Sequence, residues 1–410
     1  MPLTRTSTVT RTTTVTLTTA FTLTALTAST LTARADSSDP WARSWGNNAS
    51  GQLGNGNATL QLTPTNVQGI ARQDLQELAA GGAESSGTGT ATTPATSFAV
   101  ALLKDGTVMS WGANGSGQIG NGTTNTQVAP GAVAGLSGVS HVAAGSNHAL
   151  AVRNGRVLSW GSNASGQLGN GVTAADPGGA QKTPVPVQSL DRVVDVGAGC
   201  EFSVALRDNG TVWAWGAAAD GRLGNDDERT NSNTPKQVKA LTDVVAISVG
   251  CAHVLALAAD GTVKSWGRNS DGQLGNDSTV RSTVPVTVQY LDSVAKVAAT
   301  TNGSFAVLDD GSLRAWGDNG SGQLGDGYTD DRTTAVPIDA VQGVKEVAGG
   351  PEHTLAALDN GSVIAWGANT NGQLGSGSTA ASSTPVVALP AGSDISHVAA
   401  STNGRSSYAY

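Results

Sequence analysis

A string of the form W-G-x-N-x-x-G-Q-L-G-N recurs seven times in this chain with small variations, and no other feature limits the fold as tightly. Its tryptophans are Trp45, Trp111, Trp160, Trp215, Trp266, Trp316 and Trp366, separated by 66, 49, 55, 51, 50 and 50 residues. A period near 50 filled with strand-type sequence points to a solenoid or a propeller. Ordinary globular sequence of 410 residues would suggest two or three domains, but one closed ring of repeats absorbs the whole length.

Each unit reads as strands. Before Trp266, residues 243–250 and 253–259 form two apolar runs, Asp260-Gly261 a tight turn, and 262–266 a third strand. The turn recurs at Asp105-Gly106, Asn154-Gly155, Asn209-Gly210, Asp310-Gly311 and Asn360-Gly361. Asn or Asp before Gly predicts a type I′ hairpin, in which both residues take positive φ. A fourth, outer strand carries Pro184, Pro235, Pro285, Pro337 or Pro385. Proline fits an edge, because it cannot donate to a ladder.

Columns across the repeats say how the strands pack. Three residues before each Trp the chain places Ala42, Val108, Val157, Val212, Val263, Leu313 and Val363. One residue before stand Ser44, Ser110, Ser159, Ala214, Ser265, Ala315 and Ala365, a uniformly small column that predicts close approach by a neighbouring sheet. The loop residues Leu53, Ile119, Leu168, Leu223, Leu274, Leu324 and Leu374 are the large apolar side chains of otherwise polar loops and are expected beneath a Trp ring. The fold class is all-β, a seven-bladed β-propeller. Residues 394–400 and 405–410 match the first two strands of a unit and 39–46 the third. The ring is therefore closed by strands from both termini, which removes exposed sheet edges.

Residues 1–35 differ from the rest: rich in Thr, Leu and Ala, with Arg5, Arg11 and Arg34 and no acid. Ala33-Arg34-Ala35 suits a small-x-small cleavage site, so the segment is read as a signal peptide cut near Ala35 and the protein as secreted or extracytoplasmic. It is too polar for a membrane anchor, and no other stretch resembles a span. Net charge is −8, or about −11 once the three arginines leave. A chain this acidic, without runs of Lys or Arg, has no attraction to phosphate backbones, so no nucleic-acid partner is expected.

Catalytic and cofactor strings are missing: G-x-S-x-G, H-E-x-x-H, a P-loop and an EF-hand do not occur, and no Lys follows a Gly. Three of the five histidines, His148, His253 and His353, share one column with Phe98, Phe202, Gly303 and Gly404. A column that tolerates Phe and Gly speaks for packing and local hydrogen bonding over a metal site, and no cofactor is expected. Cys200 and Cys251 each stand 15 residues before their Trp. A disulfide needs Cα atoms within about 7 Å. Equivalent sites of adjacent blades meet that only beside the ring axis, so the sequence favours two buried free thiols over a disulfide.

The seven W-G strings and the G-x-x-H segments ending at His148, His253 and His353 resemble the regulator of chromosome condensation repeat family over roughly 39–410. The resemblance implies the propeller. It implies little about function, since family members include a guanine-nucleotide exchange factor for a nuclear GTPase, a plant ultraviolet photoreceptor and a secreted bacterial inhibitor of β-lactamases. The present chain lacks a basic tail and the photoreceptor's G-W-R-H-T motif.

Function is then sought where the repeat is interrupted. Residues 81–96 (GGAESSGTGTATTPAT) lengthen the first interval, and 174–181 the third. Two W-G loops carry charge runs: Asp226, Asp227, Glu228 and Arg229 in one, and Tyr328, Asp330, Asp331 and Arg332 in the other. Equivalent loops project from one face of a ring, which makes that face a candidate for a protein partner, with Trp41 and Tyr290 as further exposed anchors. The expected function is a monomeric, secreted or cell-surface binding module. The alternatives are an inhibitor of a secreted enzyme such as a β-lactamase, and an enzyme with its acids in the channel or face loops.

Overall fold

The computed structural model describes residues 41–82, 96–172, 179–227 and 229–410. The proposed signal segment, most of the 81–96 insertion, residues 174–178 and Glu228 lie outside the described residues. The rest forms seven four-stranded antiparallel sheets, all-β as expected, arranged as the blades of one propeller. In blade 5 the strands, named a to d, are Val244–Val249, His253–Ala258, Val263–Gly267 and Ser282–Thr287. Blades 2, 3, 4, 6 and 7 repeat this plan over 75–132, 139–186, 193–237, 294–337 and 344–389. Blade 1 takes its a and b strands from Val398–Ala400 and Ser406–Ala409 and its c and d strands from Trp41–Gly46 and Gln61–Ala71. Arg43 pairs with Ala409 and Gly46 with Ser406, so the two chain ends close one sheet. Among the described residues no helix is long and apolar enough to cross a membrane.

The repeated string is scaffold, and each of its residues has a partner. All seven tryptophans are fully buried. Each indole N–H donates to a loop carbonyl of the preceding blade: Trp111 to Gln52 at 2.7 Å, Trp316 to Gln273 at 2.9 Å and, closing the ring, Trp45 to Gln373 at 2.9 Å. The loop Leu packs against the Trp of the next blade, as Leu223 does with Trp266 and Leu324 with Trp366. The glycine after it lies flat on that indole: at Gly275, φ +64°, a Cβ would stand 2.8 Å from the Trp316 nitrogen. The string's Asn is a buried brace. Asn319 accepts from Leu324 N–H at 3.0 Å and donates to the carbonyls of Tyr328 and Asp330. The small column before each Trp makes room for the blade's own loop, rather than only for a neighbouring sheet: Ser44, Ser159 and Ser265 donate to the carbonyls of Leu53, Leu168 and Leu274 at 2.7 Å.

The hairpins differ from the type I′ expectation. Among the described turns only Asn154-Gly155 has both residues at positive φ, 53° and 69°. Elsewhere the turn is one residue longer. Gly106 N–H donates to the Leu103 carbonyl, Gly106 alone turns left-handed, and the Asp105 carboxylate accepts from Thr107 N–H. This is a type I turn ending in a glycine bulge, for which Asp supplies a side-chain brace instead of a left-handed backbone.

Candidate functional site

Strand b starts opposite the glycine that ends strand c, as His253 does opposite Gly267. The a–b loops and the W-G loops therefore share one end of the ring, and the hairpins and d–a connectors the other. The inner a strands of all seven blades line an axial cavity of about 440 Å3.

At the a–b end the loops converge on the axis. Cys200 and Cys251 lie with Cα atoms 4.6 Å apart and are joined by a disulfide between blades 4 and 5. This replaces the expected free thiols. The adjacent loops approach closely enough for Cys200 N–H to bond the Cys251 carbonyl at 3.0 Å, so the axis meets the distance requirement.

The opposite mouth carries a ring that sequence reasoning passed over. Strand registers place Glu77, His141, Asp195, Ala246, Lys296 and Glu346 at one level of the a strands, and the reciprocal backbone bonds of His397 with Tyr410 put His397 at the same level. From Glu346 round to Asp195 the order alternates acid, His, acid, His, acid. His397 Nδ1 lies 2.7 Å from Glu346, and His141 Nδ1 3.7 Å from Glu77. Glu77 accepts from Val142 N–H of the next blade, and Asp195 from its neighbour Val196 at 2.8 Å. Burial pushes the Glu77 carboxyl up to about 8, against its backbone bond and with help from Asp195 and Glu346. Burial also raises Asp195 to about 6. Beneath lies a level of small residues, Ala79, Ala143, Gly197, Ser248, Ala298, Ala348 and Ala399. Once the a strands are aligned the titratable level can be read from the sequence; the unaligned chain shows only scattered charges.

The histidine column lies between blades. His148, His253 and His353 place Nε2 at 2.9–3.0 Å from Ser203, Ser304 and Ser407 of the following blade. Each of those hydroxyls donates onward to a Gln carbonyl, at Gln167, Gln273 and Gln373. The single hydroxyl proton is thus used, so Nε2–H is the donor to serine and Nδ1 is left bare. In blade 1 the column is occupied by Ser406, not Gly404. Ser401 N–H bonds Ser406 O where Gly250 N–H bonds His253 O, because this a–b loop is two residues longer.

The predicted partner-binding residues fall on two faces. The W-G face holds Asp226, Asp227, Arg229, Tyr328, Asp330, Asp331 and Arg332. Trp41 begins a c strand and Tyr290 sits in a d–a connector, so both belong to the opposite face. Several of the charges brace their own loops. Asp227 accepts from the N–H groups of Arg229 and Thr230, and Asp331 from Asn319 N–H. Arg332 reaches Asp326 at 2.6 Å and lies over the Tyr328 ring. Asp226 pairs with Lys239 at 3.3 Å and contacts Thr283 of blade 5. Tyr328 (62% exposed) and, in the intervening loop, Val280 (71%) stand out as apolar side chains on this rim.

Comparison with known proteins agrees with this architecture. The RCC1-like domain family matches residues 154–410, and the regulator of chromosome condensation (RCC1) repeat matches 44–85, 105–152 and 139–167. The human E3 ubiquitin-protein ligase HERC2 is 30% identical over 249 residues, covering 59% of this chain and 5% of that protein. The Arabidopsis thaliana ultraviolet-B receptor UVR8 is 30% identical over 238 residues, 57% of this chain and 50% of the receptor. The chain thus spans half or less of the length of these two relatives. Yeast RCC1 (Prp20), solved bound to Kap60, superposes with a TM-score of 0.75 at 23% identity, over 90% of this chain and 88% of that one. Human WBSCR16 does so with the same score at 22% identity, over 90% and 99%. The likeness to both structures is one of fold. With seven blades closed through both chain ends and the family profile matched over more than half its length, the chain belongs to the RCC1-like domain family.

Proposed function

We propose that this RCC1-like propeller is an extracytoplasmic protein-interaction module that holds a protein partner on its W-G face. The observation that carries the proposal is the presentation of Tyr328 and Val280, both mostly exposed, on loops whose backbones are pinned by Asn319 and Asn269. An exposed aromatic on a preorganised loop is the usual anchor of a protein interface. Among relatives by fold, yeast Prp20 is described in complex with Kap60 and by its binding to Gsp1p and histones, so this scaffold does carry protein partners elsewhere. The leader read at residues 1–35 and the disulfide both suit an oxidising compartment. Crosslinking with mass spectrometry in the native secretome and envelope tests the reading: a stoichiometric partner should be captured by residues 36–410 and lost with Y328A/V280S. Capture of no partner in any fraction would sink it. An inhibitor of a secreted enzyme is the narrower form of the same proposal.

A second reading is favoured by the channel mouth. Buried carboxyls with raised proton affinity in a cleft are what general acid-base catalysis uses. Glu77 and Asp195 would then serve as acid and base towards a small molecule entering the channel. Incubation with extracted secretome metabolites should show a product made by the native protein and not by E77Q/D195N; identical profiles would remove this reading.

A further inference from the structure

The seven blade junctions are not fastened alike. At 3/4, 5/6 and 7/1 a His–Ser–Gln hydrogen-bond chain crosses the interface. At 6/7 Thr354 donates to the Gln323 carbonyl at 2.8 Å. At 1/2 Leu78 N–H reaches the Tyr410 hydroxyl, and Ser401 bonds the Gly81 carbonyl. At 2/3 Gln118 reaches Asn147, and Val142 N–H reaches Glu77. Junction 4/5 has Asp195 accepting from Ile247 N–H, as Glu77 does from Val142 at 2/3. Phe202 and Val254 stand where the His–Ser chain would run, so neither an imidazole nor a hydroxyl is available there. Its Trp266 indole bond, to the Arg222 carbonyl, is 3.1 Å long. The W-G loop of blade 4 also departs from the repeat, with Ala218 in place of the bracing Asn, and it rests on blade 5 through Asp226 N–H to the Thr283 carbonyl at 3.0 Å. The protein's one pair of cysteines lies at this junction, and both side chains remain partly exposed.

We propose that the Cys200–Cys251 disulfide is a redox-sensitive fastener of the 4/5 seam, whose reduction loosens the footing of the Asp226–Arg229 loop while the ring stays folded. The reaction is exchange with a dithiol reductant. One thiolate of the reductant attacks Cys200 or Cys251 and releases the other as thiolate. The reductant's second thiol then displaces the first cysteine and closes its own disulfide. Two electrons and two protons pass to the protein, leaving two thiols. A seam with a polar chain would be indifferent to this; the 4/5 seam has an apolar contact in its place. The consequence for partner capture rests on the W-G face reading, but the fastening itself does not.

Hydrogen exchange read by mass spectrometry tests the fastener without any partner. Folded protein is compared before and after dithiothreitol, with alkylation confirming two free thiols, and beside the C200A/C251A variant. Amides that cross or flank the seam, at Asp226 and in 246–249, should exchange roughly tenfold or more faster, while those at the 7/1 junction change less than about twofold. In the C200A/C251A background, F202H/V254S should install the chain found at 3/4 and restore the slow exchange. Uniform acceleration or global unfolding would mean that the bond holds the whole ring, and no local change would mean that it holds nothing; either overturns the proposal. So would a disulfide that resists dithiothreitol in the folded protein. If the cysteine-free variant fails to fold, the reduced native protein still decides.

Discussion

Each buried histidine of the junctions is a neutral donor in a dry place. His148 and His253 are lowered to about 4 and His353 to about 3, from an ordinary value near 6.5, chiefly by burial; Arg268 and Arg405 add repulsion at the latter two. The folded state resists the proton that the unfolded chain accepts. The stabilisation is therefore complete above pH 6.5 and is lost as pH falls towards 4. At about 1.4 kcal/mol per unit, each histidine costs roughly 3 kcal/mol at pH 4 relative to pH 7. Denaturant unfolding of H148F/S203A, which copies the Phe98 and Ala149 contact of junction 2/3, should show a shallower acid limb than the native protein. An unchanged limb would mean that His148 is not part of it. The pairing itself is legible in one sequence, without any alignment: His is followed one blade later by Ser, and Phe98 and Phe202 by Ala149 and Val254. In these pairs the hydroxyl stands where an imidazole must be satisfied, whereas Thr354, which follows Gly303, spends its proton on the Gln323 carbonyl alone.

At the scale of the element, what the sequence shows is the period and the residues that must be buried, and what it hides is geometry set across blades. The apolar and proline-bearing strands, the buried loop Leu and the split blade are all visible as columns. The disulfide is not, because separation along the chain says nothing about how tightly the a–b loops converge. The acid–His ring is hidden in the same way, since its members touch only after seven inner strands are brought side by side. The loops allow a direct test of packing against backbone strain. Gly261, φ +83°, has nothing within 4 Å of a Cβ position, so G261A should cost about 1 kcal/mol of left-handed strain. Gly275 adds the collision with Trp316, and G275A should cost about 2–5 kcal/mol. Equal losses in thermal unfolding would contradict the face-to-face packing. N319A leaves the carbonyls of Tyr328 and Asp330 and the Leu324 N–H without their brace, at about 2–4 kcal/mol. Limited proteolysis should then cut within 326–331 before any other loop.

Over the whole molecule, stability depends on the ring being continuous. Each blade lends its loop to the next blade's tryptophan, so a blade missing from the circle leaves one indole bare and one loop without a floor. Trp45 receives that support from Gln373 and Gly375 of blade 7, and its own sheet is completed by Ser406–Ala409. Closure, not the position of the chain ends, is what the architecture requires. Joining Tyr410 to Trp41 by a short linker makes an ordinary b–c hairpin, because Arg43 already pairs with Ala409. New ends can then be opened at Asp260-Gly261, where a Cβ on the glycine would meet nothing within 4 Å. This permutant keeps every interblade contact and should melt within about 2 °C of the native protein, a shift worth roughly 1–2 kcal/mol for a domain of this size. Deleting 405–410 removes the b strand of blade 1, including the fully buried Tyr408 and the His353–Ser407 bond. That variant should lose cooperative melting or fall by more than about 10 °C in differential scanning calorimetry. A deletion that melts like the permutant would mean that blade 1 does not seal the ring.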